Sequence, residues 1–342
     1  MLPGDLAELP PLLQPNPEGI ARAADLLRAG EIVALPTETV YGLAANALDE
    51  KAVRYIFSVK GRPLRDPLII HGLDEDYFHD LAEFTPAARE LAATCWPGPL
   101  TLVLRKKDRV SSLITAGRDT VAVRAPAHPV MRSVLAKCRL PLAAPSANPF
   151  GYLSPTRAEH VRESFGGKVP WILDGGPCTV GVESTIVDVS NATAPPRILR
   201  PGPITCEALE RILGQRVESV AHTSKIESSE GLLAPGMLTR HYSPLTSFNL
   251  LPAGVCPESP VVGRRVAWVR FNPLEVEEPP PKGVEIFWLS KTGDLAEAAR
   301  GLYELLRRLD PEGYEKIWCE LAPQNGWGLA LNDRLRRAAG RG

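Results

Sequence analysis

The sequence is short of several things, and each shortage removes a class of protein. It has six cysteines, at positions 95, 138, 178, 206, 256 and 319, and none forms a Cys-x-x-Cys pair. With no matching histidine spacing, a zinc site of the usual kinds is excluded, and free thiols in a reducing compartment fit better than a disulfide framework. No run approaches the roughly 18–20 apolar residues of a membrane span. The opening MLPGDLAELPPLLQ lacks a basic stretch and a long apolar core. A secretory signal is therefore not expected, and a cytoplasmic setting is. Formal charge is −1 and aromatics make up 6%, so no global basic or stacking surface advertises nucleic acid. There is no Gly-x-x-x-x-Gly-Lys-Ser/Thr loop, no Gly-x-Gly-x-x-Gly and no Gly-x-Ser-x-Gly. Any phosphate site must be assembled from dispersed cations and hydroxyls.

What is present is the material of a folded protein. Of 342 residues, 44% are hydrophobic and 23% charged, enough apolar content for a core and enough length for two domains. Hydrophobic spacing predicts helices over 18–29 and 50–60, one opened by Thr85–Pro86, one opened by a capping box from Thr156 to Glu159, and one opened at Thr205. Short apolar runs predict strands at 31–35, 67–71, 100–105, 120–125, 140–145, 171–174 and 184–189. Strands outnumber helices and do not alternate with them, which points to a mixed sheet rather than a doubly wound domain. Residues 215–260 lose periodicity and read as a linker. Beyond them, strands at 264–270, 284–290 and 314–321 with helices at 294–309 and 328–339 predict a small parallel α/β domain.

The polar residues gather beside predicted strand ends. PTETVYGLAANA (36–47) supplies Thr37 and Thr39 after the first strand, and fits an ordinary turn or a binding loop equally. KGRPLRDPLIIH (60–71) crowds Lys60, Arg62 and Arg65, and ends at His71. Such a cluster alone is more often a solvated face than an anion site, and His71 alone reads as a core histidine. Arg124 lies inside the apolar run TVAVRAP, and Arg200 follows another apolar strand. A buried charge is costly unless paired or bound to an anion, so each arginine calls for a ligand or for an acid such as Glu183 or Asp174. PSANPFGYLSPT (145–156) adds Ser146, Asn148 and Ser154 among small residues.

In order and spacing, PTETVYGL, KGRP with DPLIIH, WPGPLTLVL, VAVRAPAHP, PSANPFGYLSPT and GVESTIVD with LRPGP resemble the YrdC-like domain of threonylcarbamoyl-AMP synthases from about residue 15 to 214. LAPGMLTRHYSP (233–244) and NGWGLALNDRLRRAA (325–339) are similar to the linker and last domain of the family's long form. The resemblance implies a YrdC-like twisted mixed α/β sheet with helices around a concave cavity over 1–214. It also implies a linker at 215–260, part of which closes over the active site, and a small Rossmann-like α/β domain over 261–342. It implies condensation of L-threonine, bicarbonate and ATP to threonylcarbamoyl-AMP and pyrophosphate, with Mg2+ carried by ATP and no protein-built metal site. The product would feed a tRNA threonylcarbamoyl-transfer machinery.

Carried over by motif, Thr37, His71, Arg124, Ala144 and Ser184 would line the L-threonine pocket. Lys60, Arg62, Asp66, Thr120, Ser146, Asn148, Ser154, Arg200 and Tyr242 would hold ATP, with His241 beside Tyr242 in the linker. No covalent nucleophile is implied. Asp66 departs from the family's more frequent Asn, and its charge near phosphates calls for compensation by a metal or by Arg65. Three other readings are an RNA-binding module, which allows weak RNA binding, a carbamoyltransferase relative, and a structural or regulatory relative with a dead site. The second usually carries zinc fingers and an acylphosphatase segment that this sequence lacks.

Overall fold

The computed structural model describes residues 11–219, 232, 234–235, 241–271 and 279–340. The chain forms two compact units. The first comprises 1–150, 155–179 and 183–237, and the second 151–154, 180–182 and 238–342.

In the first unit, β1 (Val33–Leu35) and β2 (Gly42–Asn46) begin a ten-stranded mixed sheet with β3 (Ile69–His71), β4 (Ala82–Glu83), β5 (Leu100–Lys106), β6 (Thr120–Arg124), β7 (Leu142–Ala143), β8 (Thr185–Asp188), β9 (Arg197–Arg200) and β10 (Glu218–Ser219). Their order is β1-β2-β7-β3-β6-β5-β8-β9-β10, with β4 beside β5. The β3–β6 and β5–β8 pairs are parallel and β5–β6 is antiparallel, so the sheet is mixed, as the strand pattern predicts.

Side chains alternate across this sheet, and the alternation positions the site. Ile70, Leu102, Leu104, Val121, Val123 and Val187 enter one apolar core. Ile69, Val103, Ala122 and Ile186 face the other way, into a small apolar cluster with Leu199 and Ala234. His71, Thr101 and Arg124 stand two residues from Ile69, Val103 and Ala122, and so share that second face. An arginine can therefore occupy an apolar strand without entering the main core.

The helices follow their end signals. Asn16 caps α1 (Pro17–Arg28) by accepting from Gly19 N–H. Asp49 caps α2 (Glu50–Lys60), which stops at Gly61 with φ 64°. Thr85 and Thr205 cap α3 (Pro86–Cys95) and α7 (Cys206–Leu213), and α4 (Ser112–Thr115) is a single turn. Other expectations need correction. Gly42–Asn46, read as loop, is strand, because small residues with little strand preference are held between β1 and β7. The strand expected at 171–174 makes only isolated bridges, Ala34 to Ile172 and Leu13 to Leu173. Helix α5 (Pro129–Cys138), which periodicity does not reveal, opens on Pro129 with His128 as its cap. Helix α6 (Ala158–Phe165) begins after Arg157 with no side-chain cap, because Thr156 N–H donates instead to His160 Nδ1 at 3.2 Å.

The second unit is a four-stranded, fully parallel sheet of order β11-β14-β12-β13, from β11 (Ser247–Leu251), β12 (Val266–Arg270), β13 (Val284–Trp288) and β14 (Lys316–Glu320). Strand β11 lies inside the stretch read as linker. Helices α8 (Leu295–Leu309) and α9 (Trp327–Ala338) complete the unit. On one face Arg270 stacks between Trp268 and Trp288, with 4.4 and 5.1 Å from its guanidinium carbon to the ring centroids, and pairs with Glu320 at 2.6 Å.

Leu104 is fully buried at the centre of β5. Leu104→Ala should cost about 2–5 kcal/mol, read as a lower urea midpoint for the first unit.

Candidate functional site

The candidate side chains collect where β3, β6 and β9 end, where β8 begins, and where the loops after β1 and β7 meet them. Gly42 makes the meeting possible, since a Cβ there would lie 3.1 Å from the Cβ of Ala144. The segment after β7 then passes Gly42 through a bridge to Ser146.

Arg124 ends β6, and the β3–β6 register sets it beside His71. Its Nε donates to Gly98 O at 3.2 Å, and its Nη1 to Thr39 Oγ1 at 2.9 Å. Its Nη2 pairs with Glu38 Oε1 at 2.7 Å. Thr37 Oγ1 donates to Val40 O at 2.6 Å, so the 2.9 Å contact between the two threonines runs from Thr39 to Thr37. One polarised chain therefore leads from Arg124 through Thr39 and Thr37 into the backbone. The acid that compensates Arg124 is Glu38, not Glu183 or Asp174. Asp174 instead accepts from Gly176 N–H at 2.9 Å.

His71 is buried, and its Nδ1 has no hydrogen-bond partner among the described residues. Burial first, and the Arg124 charge second, push its pKa down to about 3, so it stays neutral near pH 7. Ala144 N–H donates to Ile69 O at 3.2 Å, which sets this small residue against β3. Cys178 is buried near Glu38 and Arg124, and burial pushes its thiol up, out of the reactive range.

A second group forms around α2 and the loop after it. Lys60 ends α2, buried, and its ammonium donates to the carbonyls of Ser146 and Asn148. Burial, then the nearby Arg62 charge, hold its pKa well below the ordinary lysine value. Arg62 donates to Asp66 O at 3.1 Å and Pro67 O at 2.8 Å, and pairs with the Asp66 carboxylate at 2.9 Å. The cation that compensates Asp66 is thus Arg62 rather than Arg65. Asn148 is fully buried, and its Nδ2 donates to Pro149 O at 2.9 Å.

Arg200 closes the group at β9. It donates from Nε to Ser184 O and from Nη2 to Ser184 Oγ, both at 3.1 Å, while Ser184 Oγ lies 2.7 Å from Thr101 Oγ1. Gly202 lets this turn lie flat on β8, since a Cβ there would come 2.3 Å from Thr185 N. Inside the stretch read as linker, Pro235 O accepts from Arg200 Nη1 at 3.5 Å and Leu232 N–H donates to Arg65 O at 3.0 Å.

The structure thus brings Thr37, His71, Arg124 and Ala144 together, ties Lys60 to Ser146 and Asn148, and ties Arg200 to Ser184. Thr120 opens β6 at the strand end opposite Arg124. Ser154 and Tyr242 belong to the second unit. There Ser154 O accepts from Arg307 Nε at 3.3 Å. Tyr242 sits at φ 61° with its ring 6.0 Å from Tyr303 and near the Arg334 guanidinium. Glu38 and Tyr41 were not singled out from the sequence. The only signal for Glu38 is an acid between two threonines directly after a buried strand. Tyr41 donates to Gly176 O at 2.8 Å and so holds the Gly175–Gly176 turn. Among the described residues no group of three or more His, Cys, Asp or Glu side chains could hold a metal ion.

His71 leaves a signature in stability. Its ordinary pKa is 6.5, and the folded value near 3 is depressed. The unfolded chain therefore binds a proton below pH 6.5 that the folded chain refuses until about pH 3. Its contribution is complete above pH 6.5 and is lost as pH falls through that window, at up to about 1.4 kcal/mol per pH unit. Urea midpoints of His71→Asn should fall less steeply than wild type between pH 6.5 and 4.

Residues 25–202 match the family model Sua5_yciO_yrdC, described as Telomere recombination, and residues 204–340 match Sua5_C, the threonylcarbamoyl-AMP synthase C-terminal domain. The threonylcarbamoyl-AMP synthase of Pyrococcus abyssi is 42% identical, with 93% of each chain covered. That of Bacillus subtilis is 40% identical over 96% of this chain and 95% of its own. A crystal structure of P. abyssi Sua5 complexed with L-threonine superposes with a TM-score of 0.82 at 40% identity, covering 95% of both chains. With near-complete coverage at this identity, and both halves matched by their own models, the chain belongs to the Sua5/YciO/YrdC family, in the form that carries the threonylcarbamoyl-AMP synthase C-terminal domain.

Proposed function

We propose that this protein condenses L-threonine, bicarbonate and ATP to threonylcarbamoyl-AMP and pyrophosphate. The observation that carries the reading is the set of four buried cations, Lys60, Arg62, Arg124 and Arg200, at adjoining strand ends and loops beside a neutral histidine. Such a set matches a reaction that handles bicarbonate, the ATP phosphates, the threonine carboxylate and the leaving pyrophosphate, each of which carries negative charge.

The neutral threonine amine attacks carbon dioxide and releases a proton, or attacks bicarbonate and expels its hydroxyl as water with the amine proton, giving a carbamate. A carbamate oxygen then attacks the α-phosphorus of ATP, and the bond to the bridging oxygen breaks with pyrophosphate leaving. Both nucleophiles come from substrates, so the protein's work is positioning and charge stabilisation. At an effective dielectric of ~20, one cation at ~4 Å supplies roughly 4 kcal/mol of Coulomb attraction before desolvation. In this reading Arg124 receives the threonine carboxylate. Neutral His71 accepts from the amine, and Ala144 leaves room for the methyl-bearing side chain. Arg62, Arg200 and Ser146 face the nucleotide, while Lys60 holds the 146–148 segment that carries part of that surface.

A magnesium ion would arrive on the phosphates, since Asp66 is already engaged by Arg62 and the described residues offer no carboxylate cage. A cytoplasmic enzyme of this kind would pass its product to a tRNA-modifying partner, because an acyl adenylate hydrolyses if it is not consumed.

Pyrophosphate release should require all three substrates, and release that persists without L-threonine would refute the reading. Arg200→Ala should lower kcat/KM by at least 100-fold with the far-UV spectrum unchanged. Arg62→Lys, which keeps a cation against Asp66 but loses the planar fork, should raise the KM for ATP about 10-fold.

A further inference from the structure

Glu38 has no part in the assignments above, yet it pairs with Arg124 in the proposed threonine pocket. We propose that Glu38 is a positioning residue that fixes the Arg124 guanidinium in the pose that receives the L-threonine carboxylate. The inference rests on the proposed reaction, and it assigns a role to a residue that touches no substrate in that scheme.

A guanidinium has five N–H groups in one plane. Gly98 O takes the Nε–H, Thr39 takes one from Nη1, and the Glu38 carboxylate sits 2.7 Å from Nη2. The Glu38 contact is an ion pair without a directed Nη2–H bond, so one N–H remains on Nη1 and both remain on Nη2, and one from each nitrogen can meet a carboxylate. Gly98 holds Nε, Thr39 holds Nη1, and Glu38 holds Nη2. Without Glu38, the planar group is free to tilt through the torsions of its side-chain arm, and the remaining pair no longer points one way.

Glu38 is itself fixed by its second oxygen, which accepts from Ala127 N–H at 3.0 Å. The two carboxylate oxygens therefore link the loop after β1 to the strand that carries Arg124 and the loop beyond it. Exposure is 6% for Glu38 and 3% for Arg124. The pair also cancels charge. Arg124 already pushes His71 towards its neutral form, and an uncompensated guanidinium would have to be desolvated before any substrate arrived.

A residue that merely holds the fold would affect both substrates alike. A residue that aims Arg124 should affect threonine alone. Pyrophosphate release is therefore measured with L-threonine and ATP varied separately, for wild type, Glu38→Ala, Glu38→Gln and Glu38→Asp, alongside melting temperature. Glu38→Ala and Glu38→Gln should raise the KM for L-threonine 10-fold or more and change the KM for ATP less than 3-fold. Glu38→Asp, which restores the charge on a shorter arm, should recover part of the loss.

Unchanged KM values in folded Ala and Gln variants would overturn the proposal, as would parallel rises for both substrates. If those two variants do not fold, Glu38→Asp decides by the same ratio. A wild-type protein that needs no L-threonine refutes the reaction itself. In that case calorimetric titration with L-threonine alone judges Glu38: weaker binding in the variants upholds its positioning role, and equal or absent binding throughout overturns it.

Discussion

The need to give every buried cation an acceptor shapes the first unit more than any other constraint. Four cations lie within a few residues of apolar strands, and each draws a specific piece of chain towards itself. Lys60 folds the 146–148 segment by its carbonyls, Arg62 closes its own loop on Asp66, Arg124 gathers the loops after β1 and α3, and Arg200 clamps Ser184. Removing one acceptor from a buried pair leaves a charge that neither water nor apolar side chains can satisfy, at a cost of about 3–5 kcal/mol. The loops are thus ordered by the same charges that the proposed chemistry uses.

This arrangement links fold and reactivity through the two faces of the sheet. Alternate residues of β3 and β6 build the main core, and the intervening ones reach the polar face. Small residues mark the close approaches: Gly42 against Ala144, Gly175 against Pro36 and His128, and Gly202 against β8. At Gly175 a Cβ would meet the Pro36 ring at 2.5 Å. At Gly175 and Gly202 glycine is a steric requirement, at Gly42 a side chain would have to shift Ala144 by a few tenths of an ångström, and none of the three needs a special backbone angle.

Much of this was legible in the sequence, for reasons that can be named. Thr85 and Thr205 precede their helices as capping residues do, and the mixed character of the sheet follows from crowded, non-alternating strands. The parallel second sheet follows from its β-α order. Gly42–Asn46 was not legible, because Gly-Leu-Ala-Ala-Asn has no strand preference and is strand only through its neighbours. Thr156 and Glu159 have the spacing of a capping box, but His160 takes the Thr156 N–H. For the site, the cations could be found, but their acids could not. The partner of Arg124 lies 86 residues earlier, and that of Arg62 four residues later. The three-dimensional fold alone distinguishes Glu38 from Glu183 or Asp174.

The stacking of Arg270 between Trp268 and Trp288 has an optical consequence. Of the six tryptophans, Trp268, Trp288, Trp318 and Trp327 belong to the second unit, and only Trp96 and Trp171 to the first. Intrinsic emission is therefore weighted towards the smaller unit. Far-UV ellipticity, which counts peptides, is weighted towards the larger. A denaturation followed by both signals separates the two units without any label, and a single shared midpoint would show that they unfold as one cooperative body.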